Sequence, residues 1–372
     1  MVNENRLKDE FIELVQIDSE TGSEGEIAKV LKQKFEALGL DVYEDAAAEK
    51  TGYGAGNIIA TLAASDENGT NSPIYFTSHM DTVLPGIGVK PQVKDGYVIT
   101  DGTTILGADD KAGIAAMFEA IRLLKEQGMS HGVIQFVITV GEESGLIGAR
   151  VLERDRLLAE YGYALDSDGP VGDIIVAAPT QAKINAKIYG RTAHAGVEPE
   201  KGISAITVAA KAVSRMPLGR IDKETTANIG RFEGGSQTNI VCDYVEVLAE
   251  ARSLEESKLN KQVQKMKKGF EEAAELMGTS VEVDIQITYP GYKKSEADQV
   301  VQTAQAALTS IGRNPKLLES GGGSDANIIS GLGIPTVNLA VGYEKIHTKE
   351  ERMPLLELTK TVEAIVAITQ HA

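Results

Sequence analysis

Histidines and carboxylates, the side chains that bind divalent metals, occur close together in several short segments of this sequence. The first, Ser78-His79-Met80-Asp81-Thr82, has a histidine and an aspartate two residues apart. Side chains at positions i and i+2 of an extended segment point the same way. The Asp81 carboxylate can then hydrogen-bond one imidazole nitrogen of His79 while the other nitrogen binds a metal. A single pair of this kind is usually incidental, so its interpretation depends on the remaining segments.

Two further segments place paired carboxylates beside glycines. Gly107-Ala108-Asp109-Asp110-Lys111 comes just before a helical pattern, and Gly141-Glu142-Glu143-Ser144-Gly145 follows an apolar run. The aspartates can bind a metal, and in the glutamate pair one carboxylate can bind a metal while the other acts as a general base towards water. The competing interpretations are helix capping for the aspartates and a solvated acidic turn for the glutamates.

An aspartate pair and a late histidine complete the candidate metal ligands. Asp166 and Asp168 follow the apolar run from Tyr161 to Leu165. We favour Asp166, because the sequence Asp168-Gly169-Pro170 is typical of a turn. His347 lies in Glu344-Lys345-Ile346-His347-Thr348, after another apolar run. On its own, His347 would be interpreted as a surface histidine.

A glycine-rich segment, Glu319-Ser320-Gly321-Gly322-Gly323-Ser324-Asp325, is a candidate for substrate binding. Backbone amides of glycines before a helix can bind anions, but the segment lacks the lysine of a nucleotide-binding loop. Gly322 and Ser324 are therefore candidates for contacts with a substrate carboxylate or backbone, and a flexible turn is the alternative. The sequence contains neither H-E-x-x-H nor G-x-S-x-G, the motifs of other hydrolase classes.

Most of these candidates follow a segment that we expect to be a buried strand. Apolar runs end just before His79, before Glu142 and before Asp166. Between them, Lys111 to Gln127 has the apolar period of an amphipathic helix. Strands that alternate with helices favour an α/β domain with a mostly parallel central sheet. Because such sheets bind ligands at the carboxyl ends of their strands, we expect the candidates to share one site.

The pattern of elements changes near residue 180. From there to residue 291, strand-like and helical segments follow in the order β-α-β-β-α-β, which resembles the split, ferredoxin-like unit. After Pro290 the helix–strand alternation returns. We therefore predict a catalytic domain formed by residues 1–180 and 292–372. A smaller α+β domain, residues 181–291, is inserted into it as a lid or dimerisation domain.

The composition limits the partners of this protein. Lys and Arg number 37 against 54 Asp and Glu, a formal net charge of -17, which disfavours nucleic acid and membranes as partners. No apolar run approaches the ~20 residues that span a bilayer, and the polar N-terminus lacks the apolar core of a signal peptide. The one cysteine, Cys242, excludes an intramolecular disulfide. We expect a cytoplasmic protein, with the glycosylation sequon at Asn68 in a surface turn.

The segments that carry the histidines and carboxylates, taken in their order along the chain, resemble those of the zinc exopeptidase family that includes peptidase T, carboxypeptidase G and the succinyl-diaminopimelate desuccinylases. The resemblance covers nearly the whole chain. The sequences D-D-K-A-G at 109–113 and R-T-A-H-A-G at 191–196 are most similar to peptidase T-like aminopeptidases. The resemblance implies a zinc-exopeptidase-like catalytic domain with two divalent metal ions, of which zinc is the first choice and cobalt or manganese the alternatives.

The resemblance also implies which residues bind the metals: His79, Asp109, Glu143, Asp166 and His347. Asp109 would bridge both ions, with His79 and Asp166 completing one site and the remaining two residues completing the other. The peptide bond after Asp109 is expected to be cis. Peptidase T has a single aspartate where this chain has two, so Asp168 stays open as the alternative to Asp166.

The catalytic and substrate-binding residues are implied in the same way. Glu142 would be the general base, and Asp81 would orient His79. His194 would stabilise the oxyanion, and in relatives this histidine reaches the active site of the partner subunit, which implies a homodimer through the inserted domain. Asn239 and Arg252 would contact the substrate, because a guanidinium binds a carboxylate through two hydrogen bonds.

The expected activity is the release of the N-terminal residue from short peptides. The nearest alternative is a carboxypeptidase or an N-acyl-amino-acid deacylase on the same scaffold, which would require the other end of the substrate to be free. A catalytically inactive binding protein is the alternative outside the enzymes. It is disfavoured because every position that the family uses for chemistry is filled.

Overall fold

The computed structural model of the chain describes residues 1–65 and 71–372. The sequon at Asn68, which we predicted to lie in a surface turn, falls outside the described residues. Among the described helices, none has the length and apolar character that crossing a membrane would require.

The secondary structure alternates between helices and strands along most of the chain. The described residues form nine α-helices: α1 (Glu4–Val15), α2 (Gly25–Ala37), α3 (Ala47–Thr51), α4 (Ala108–Gln127), α5 (Ala205–Arg215), α6 (Glu256–Leu276), α7 (Gln299–Ser310), α8 (Asp325–Gly331) and α9 (Leu355–His371). The same residues form seventeen strands: β1 (Asp41–Glu44), β2 (Ile58–Leu62), β3 (Ile74–His79), β4 (Gln92–Lys94), β5 (Tyr97–Ile99), β6 (Ile134–Thr139), β7 (Tyr161–Ser167), β8 (Asp173–Ala178), β9 (Thr180–Tyr189), β10 (Gly219–Arg220), β11 (Thr225–Gly234), β12 (Tyr244–Ser253), β13 (Val281–Tyr289), β14 (Tyr292–Lys293), β15 (Lys316–Glu319), β16 (Thr336–Ala340) and β17 (Arg352–Pro354).

The chain divides into two compact units. The larger, here called the main unit, comprises Met1–Ala177, Lys294–Ser320 and Ser324–Ala372. The smaller, here called the inserted unit, comprises Ala178–Lys293 and the three glycines Gly321–Gly323. The roles of lid and dimerisation domain that we assigned to the insertion stay predictions.

The main unit contains a central sheet whose strands lie in the order β1-β2-β6-β3-β7-β16-β8, with β15 also paired to β8. The four central strands, β6, β3, β7 and β16, are parallel to one another. At the edges, β1 and β2 are antiparallel, and β8 runs antiparallel to β16. The mostly parallel central sheet that we predicted is therefore confirmed. A small three-stranded sheet has the order β17-β5-β4.

Helices cover both faces of the central sheet, and the strand residues alternate between the two cores. Phe76 and Phe136 belong to a large core with the apolar faces of α1, α2, α4, α7 and α9. Their neighbours Tyr75 and Val137 point to the other face and join a smaller core with Ile329 of α8. This period of two follows from the pleat of a strand. Burying one such apolar side chain contributes about 1.5–3 kcal/mol, which fixes the register of the strands.

The inserted unit is an antiparallel sheet with two helices. Its strand order is β10-β11-β12-β9-β13, and every neighbouring pair is antiparallel. Helices α5 and α6 share one core with alternate residues of the sheet, such as Ile184, Ala186 and Val247. Apart from the two-residue β10, the chain order is β-α-β-β-α-β. This arrangement confirms the ferredoxin-like α+β fold that the sequence predicted.

Candidate active site

The carboxyl ends of parallel strands bring several candidate residues together. β3 ends at His79, which is in register with Thr139, the last residue of its parallel neighbour β6. Glu142 and Glu143 follow β6, and Asp166 is the penultimate residue of β7, the parallel neighbour of β3 on its other side. These side chains meet because parallel strands end at the same edge of a sheet.

Asp109 faces two histidines with its two carboxylate oxygens. Its Oδ1 lies 3.0 Å from His79 Nε2, and its Oδ2 lies 3.2 Å from His347 Nε2. The Asp109 backbone is not helical, with φ -79° and ψ 101°, and its peptide bond to Asp110 is cis, as the resemblance implies. The contacts of the carboxylate with two histidines favour metal binding over helix capping.

Asp166, and not Asp168, lies beside His79. Asp166 Oδ1 is 3.7 Å from His79 Nε2 and accepts a hydrogen bond of 3.2 Å from the Tyr343 hydroxyl. The Asp166 backbone is fixed as well, because its N–H donates to Asn338 Oδ1 at 2.9 Å. Asp168 is exposed. The geometry thus favours Asp166 as the candidate ligand.

Glu143 and His347 form the other side of the cluster. Glu143 Oε1 lies 3.0 Å from His347 Nε2, yet within the described part of the chain this buried oxygen accepts no hydrogen bond. Two potential ligand atoms that lie this close without a hydrogen bond are well placed to bind one metal ion between them. The His347 side chain is 48% exposed, so this side of the cluster is open to solvent.

Asp81 contacts both His79 and the two glutamates that follow β6. His79 Nδ1 donates to the backbone carbonyl of Asp81 at 2.9 Å, whereas the Asp81 carboxylate is 3.5 Å from that nitrogen. The carboxylate also accepts the backbone N–H groups of Glu142, at 3.0 Å, and of Glu143, at 3.2 Å. The Asp81 carboxylate thus lies beside both the imidazole and the two glutamate amides, and its role in orienting His79 stays a prediction.

The carboxyl of Glu142, the predicted general base, has a perturbed pKa. Burial raises its pKa well above the ordinary value, and the negative charge of Asp166 raises the pKa further. A base takes a proton most effectively when its pKa lies near the working pH. Glu142 is next to Glu143 in the chain, and both backbone amides are held by Asp81.

The electrostatics of the cluster favour added positive charge. Burial raises the pKa of Asp166 to about 7 and that of Asp325 to about 6. The pKa of His347 is raised to about 10 by the carboxylates of Asp109 and Glu143. The pKa of His79 is also raised, because hydrogen bonds to carboxylates outweigh the opposing effect of its burial. Uncompensated negative charge is costly to bury.

The donor atoms fit divalent metals. Potential ligand atoms form two groups, and within each group all atoms lie within 4.8 Å of one another. The first group belongs to His79, Asp110 and Asp166, and the second to His79, Asp109 and Glu143. Imidazole nitrogens and carboxylate oxygens are ligands of zinc, cobalt and manganese. Asp110 was not among our predicted ligands. Its buried Oδ1 has no hydrogen-bond partner in the described structure.

The sequence did not reveal several other residues that contact the cluster. Ser78 Oγ donates to the carbonyl oxygen of Asp110 at 2.8 Å and also to its carboxylate. Thr139 Oγ1 donates to the carboxylate of Asp325. Glu351 accepts hydrogen bonds from the backbone N–H groups of Leu106, Gly107 and Asp109. Only Ser78 and Asp325 lay in segments that we had singled out, and neither had been given this contact.

The predicted substrate-binding residues lie partly in the inserted unit. There, His194 and Asn239 are close together, because the Ala195 N–H donates to the Asn239 carbonyl at 2.9 Å. Arg252 pairs with Glu250 at 2.9 Å and donates to the Gly321 carbonyl at 3.4 Å. Gly322 follows in the same glycine segment. The roles of these residues stay predictions.

Ser324 belongs to the main unit, where it caps α8. Its hydroxyl accepts the N–H of Ala326 at 3.3 Å and a hydrogen bond from Asn338 Nδ2 at 3.2 Å. The Asn327 side chain accepts from the Ser324 N–H and completes a capping box. The structure thus gives Ser324 a structural contact, and its predicted contact with substrate stays a prediction.

Comparison with known proteins identifies similar sequences and folds. Residues 75–371 match the peptidase family M20/M25/M40. YqjE of Bacillus subtilis, an uncharacterized protein, is 68% identical over 372 residues, which cover 100% of both chains.

Two solved structures are similar over almost their entire length. The aminopeptidase PepT from Bacillus cereus is 63% identical, with a TM-score of 0.94 over 100% of this chain and 99% of that chain. A tripeptidase from Staphylococcus aureus is 53% identical, with a TM-score of 0.96 over 100% of this chain and 98% of that chain.

Proposed function

This chain belongs to peptidase family M20/M25/M40. We propose that it is a peptidase T-like aminopeptidase, which binds two metal ions and uses them to release the N-terminal residue from short peptides. The observation that carries the proposal is the position of Asp109. Its two carboxylate oxygens face His79 at 3.0 Å and His347 at 3.2 Å. A carboxylate placed in this way can be shared by two ions.

The ligands that we propose are those that cluster around Asp109. His79 and Asp166 would hold one ion, and Glu143 and His347 would hold the other. Zinc is the first choice for this mixed imidazole and carboxylate set, and cobalt or manganese would also suit it. The bound ions would lower the pKa of a water molecule and polarise the scissile carbonyl of the peptide.

Glu142 supplies the proton transfer that hydrolysis requires. Its carboxylate accepts a proton from the attacking water and later donates it to the nitrogen of the leaving amine. The raised pKa of its carboxyl makes the carboxylate a stronger proton acceptor than an ordinary glutamate. Asp81 keeps Glu142 in place through the backbone hydrogen bond of 3.0 Å.

Residues of the inserted unit would recognise the substrate and complete the site. Arg252 is the candidate for contact with the peptide carboxylate and Asn239 for contact with the peptide backbone. His194 would donate a hydrogen bond to the oxyanion in the active site of a partner subunit. A homodimer through the inserted unit and a cytoplasmic location are further predictions.

The experiment that tests this proposal is a panel of di- and tripeptides, each with a free or a blocked N-terminus or C-terminus. The purified protein is assayed with added zinc, cobalt or manganese, and the released amino acids are identified. We expect hydrolysis that requires a free N-terminus and releases the first residue. A requirement for a free C-terminus alone would instead support the carboxypeptidase or deacylase alternative. The absence of any hydrolysis with all three metals would support a binding protein.

A further inference from the structure

Two loops of the main unit carry ligands for the same proposed metal site. Asp109 lies at the start of α4, directly after the loop at residues 100–107, and His347 lies in the loop from Glu344 to Arg352. The loop is closed by two backbone hydrogen bonds between its end residues, at 2.9 and 3.0 Å. The two loops are far apart in the chain, so their ligands need a contact that fixes one loop relative to the other.

Glu351 makes that contact. Its Oε2 accepts the backbone N–H groups of Leu106 and Gly107, both at 2.8 Å, and its Oε1 accepts the N–H of Asp109 at 3.0 Å. The residue is only 2% exposed, so water does not replace these hydrogen bonds. Its own N–H donates to the Thr348 carbonyl at 3.1 Å, next to His347.

We infer that Glu351 is a positioning residue for the metal site, which joins the loop of His347 to the loop that directly precedes α4 and Asp109. The inference rests on the proposed function. Outer partners of this kind keep ligands in their binding geometry before the ion arrives, and their loss typically weakens metal binding. A carboxylate is needed because each of its oxygens faces an N–H donor.

The substitution Glu351→Gln tests the role of the carboxylate at nearly constant volume. The glutamine oxygen can still accept the amides on one side, but its NH2 group then faces an N–H donor on the other. The matched control is Glu350→Gln. Glu350 is the preceding residue, its side chain is 73% exposed, and it pairs with Lys345 at the surface.

The experiment titrates Zn²⁺ into chelator-stripped wild type, Glu351→Gln and Glu350→Gln, with a chromophoric chelator as competitor. We expect Glu351→Gln to bind Zn²⁺ about 10- to 100-fold more weakly than wild type, and Glu350→Gln to match wild type. With saturating metal, the KM of Glu351→Gln for a peptide should stay unchanged and its kcat should largely recover. If Glu351 only stabilised the fold, Glu351→Gln would have a lower melting temperature than wild type but the same affinity for Zn²⁺.

Wild-type affinity in folded Glu351→Gln would overturn the inference and leave the proposed function intact. A wild-type chain that binds no Zn²⁺, Co²⁺ or Mn²⁺ would refute both. If Glu351→Gln does not fold, hydrogen exchange of the metal-free wild type replaces it. The amides of Leu106, Gly107 and Asp109 should then be protected without metal, and rapid exchange at these positions would overturn the inference.

Discussion

Replacing Glu142 with glutamine should separate catalysis from metal binding. The substitution keeps the volume of the side chain, and the backbone N–H that Asp81 accepts at 3.0 Å is unaffected. The change therefore removes a proton acceptor and leaves the proposed ligands in place.

The expected loss follows from the task of the base. A positioned general base contributes about 10²- to 10⁴-fold to a rate, which corresponds to about 2.7–5.4 kcal/mol of activation free energy. A glutamine amide cannot take the proton from water at neutral pH. We therefore expect kcat to fall by about 10³-fold, the middle of that range, while the affinity for metal stays near that of wild type.

The assay combines the kcat for tripeptide hydrolysis with competitive metal titration, and Glu143→Gln is the matched variant. Glu143 is a proposed ligand, whose Oε1 lies 3.0 Å from His347 Nε2. Its replacement should weaken metal binding more than the loss of a residue that only supports a ligand, which costs about 10- to 100-fold. Glu142→Gln with near-normal kcat would remove Glu142 as the base. Equal losses of metal affinity in the two variants would refute the separation of their roles.

Three further predictions test other parts of the proposal. Removal of metal with a chelator should abolish peptide hydrolysis, and zinc, cobalt or manganese should restore it; activity that persists without metal would contradict the metal site. His194→Ala should lose activity while keeping its metals. When it is mixed with Glu142→Gln, about half of the dimers would contain one subunit of each variant and therefore one complete site of two, so up to about a quarter of wild-type activity should return. No recovery would argue against the contribution of His194 across subunits. Arg252→Lys should raise KM for short peptides more than it lowers kcat, because lysine cannot form two parallel hydrogen bonds with a carboxylate; an unchanged KM would exclude this contact.

Long elements with a clear hydrophobic period were predictable from the sequence. The helix expected from Lys111 to Gln127 is α4, whose first residues, including Asp109 and Asp110, are not helical. The β-α-β-β-α-β order of the insertion was also evident. The strands of the small sheet, β4, β5 and β17, were not predicted, because three residues are too few to show a period. Their formation depends on pairing between distant segments, such as Met353 with Val98.

The approximate location of the site was predictable because strand ends in a parallel sheet converge. The detailed contacts were not predictable, and Asp81 shows why. Its position two residues from His79 suggested a hydrogen bond between carboxylate and imidazole. The carboxylate lies 3.5 Å from the imidazole nitrogen, and it also accepts the backbone amides of Glu142 and Glu143, which are 61 and 62 residues away in the chain. Contacts between segments so distant in the chain leave no pattern in the sequence.

The buried carboxylates of the site differ in their partners, and this difference is not visible from residue type. Asp81 and Glu351 accept backbone amides that are 61 to 62 and 242 to 245 residues away in the chain, whereas Asp109 and Glu143 face histidine nitrogens. A carboxylate satisfied by amides fixes a loop, and one that faces imidazoles is placed to bind metal. Excess metal should therefore recover the kcat of variants in the first group, because their ligands are still present. It should not restore that of variants in the second group, which have lost a ligand.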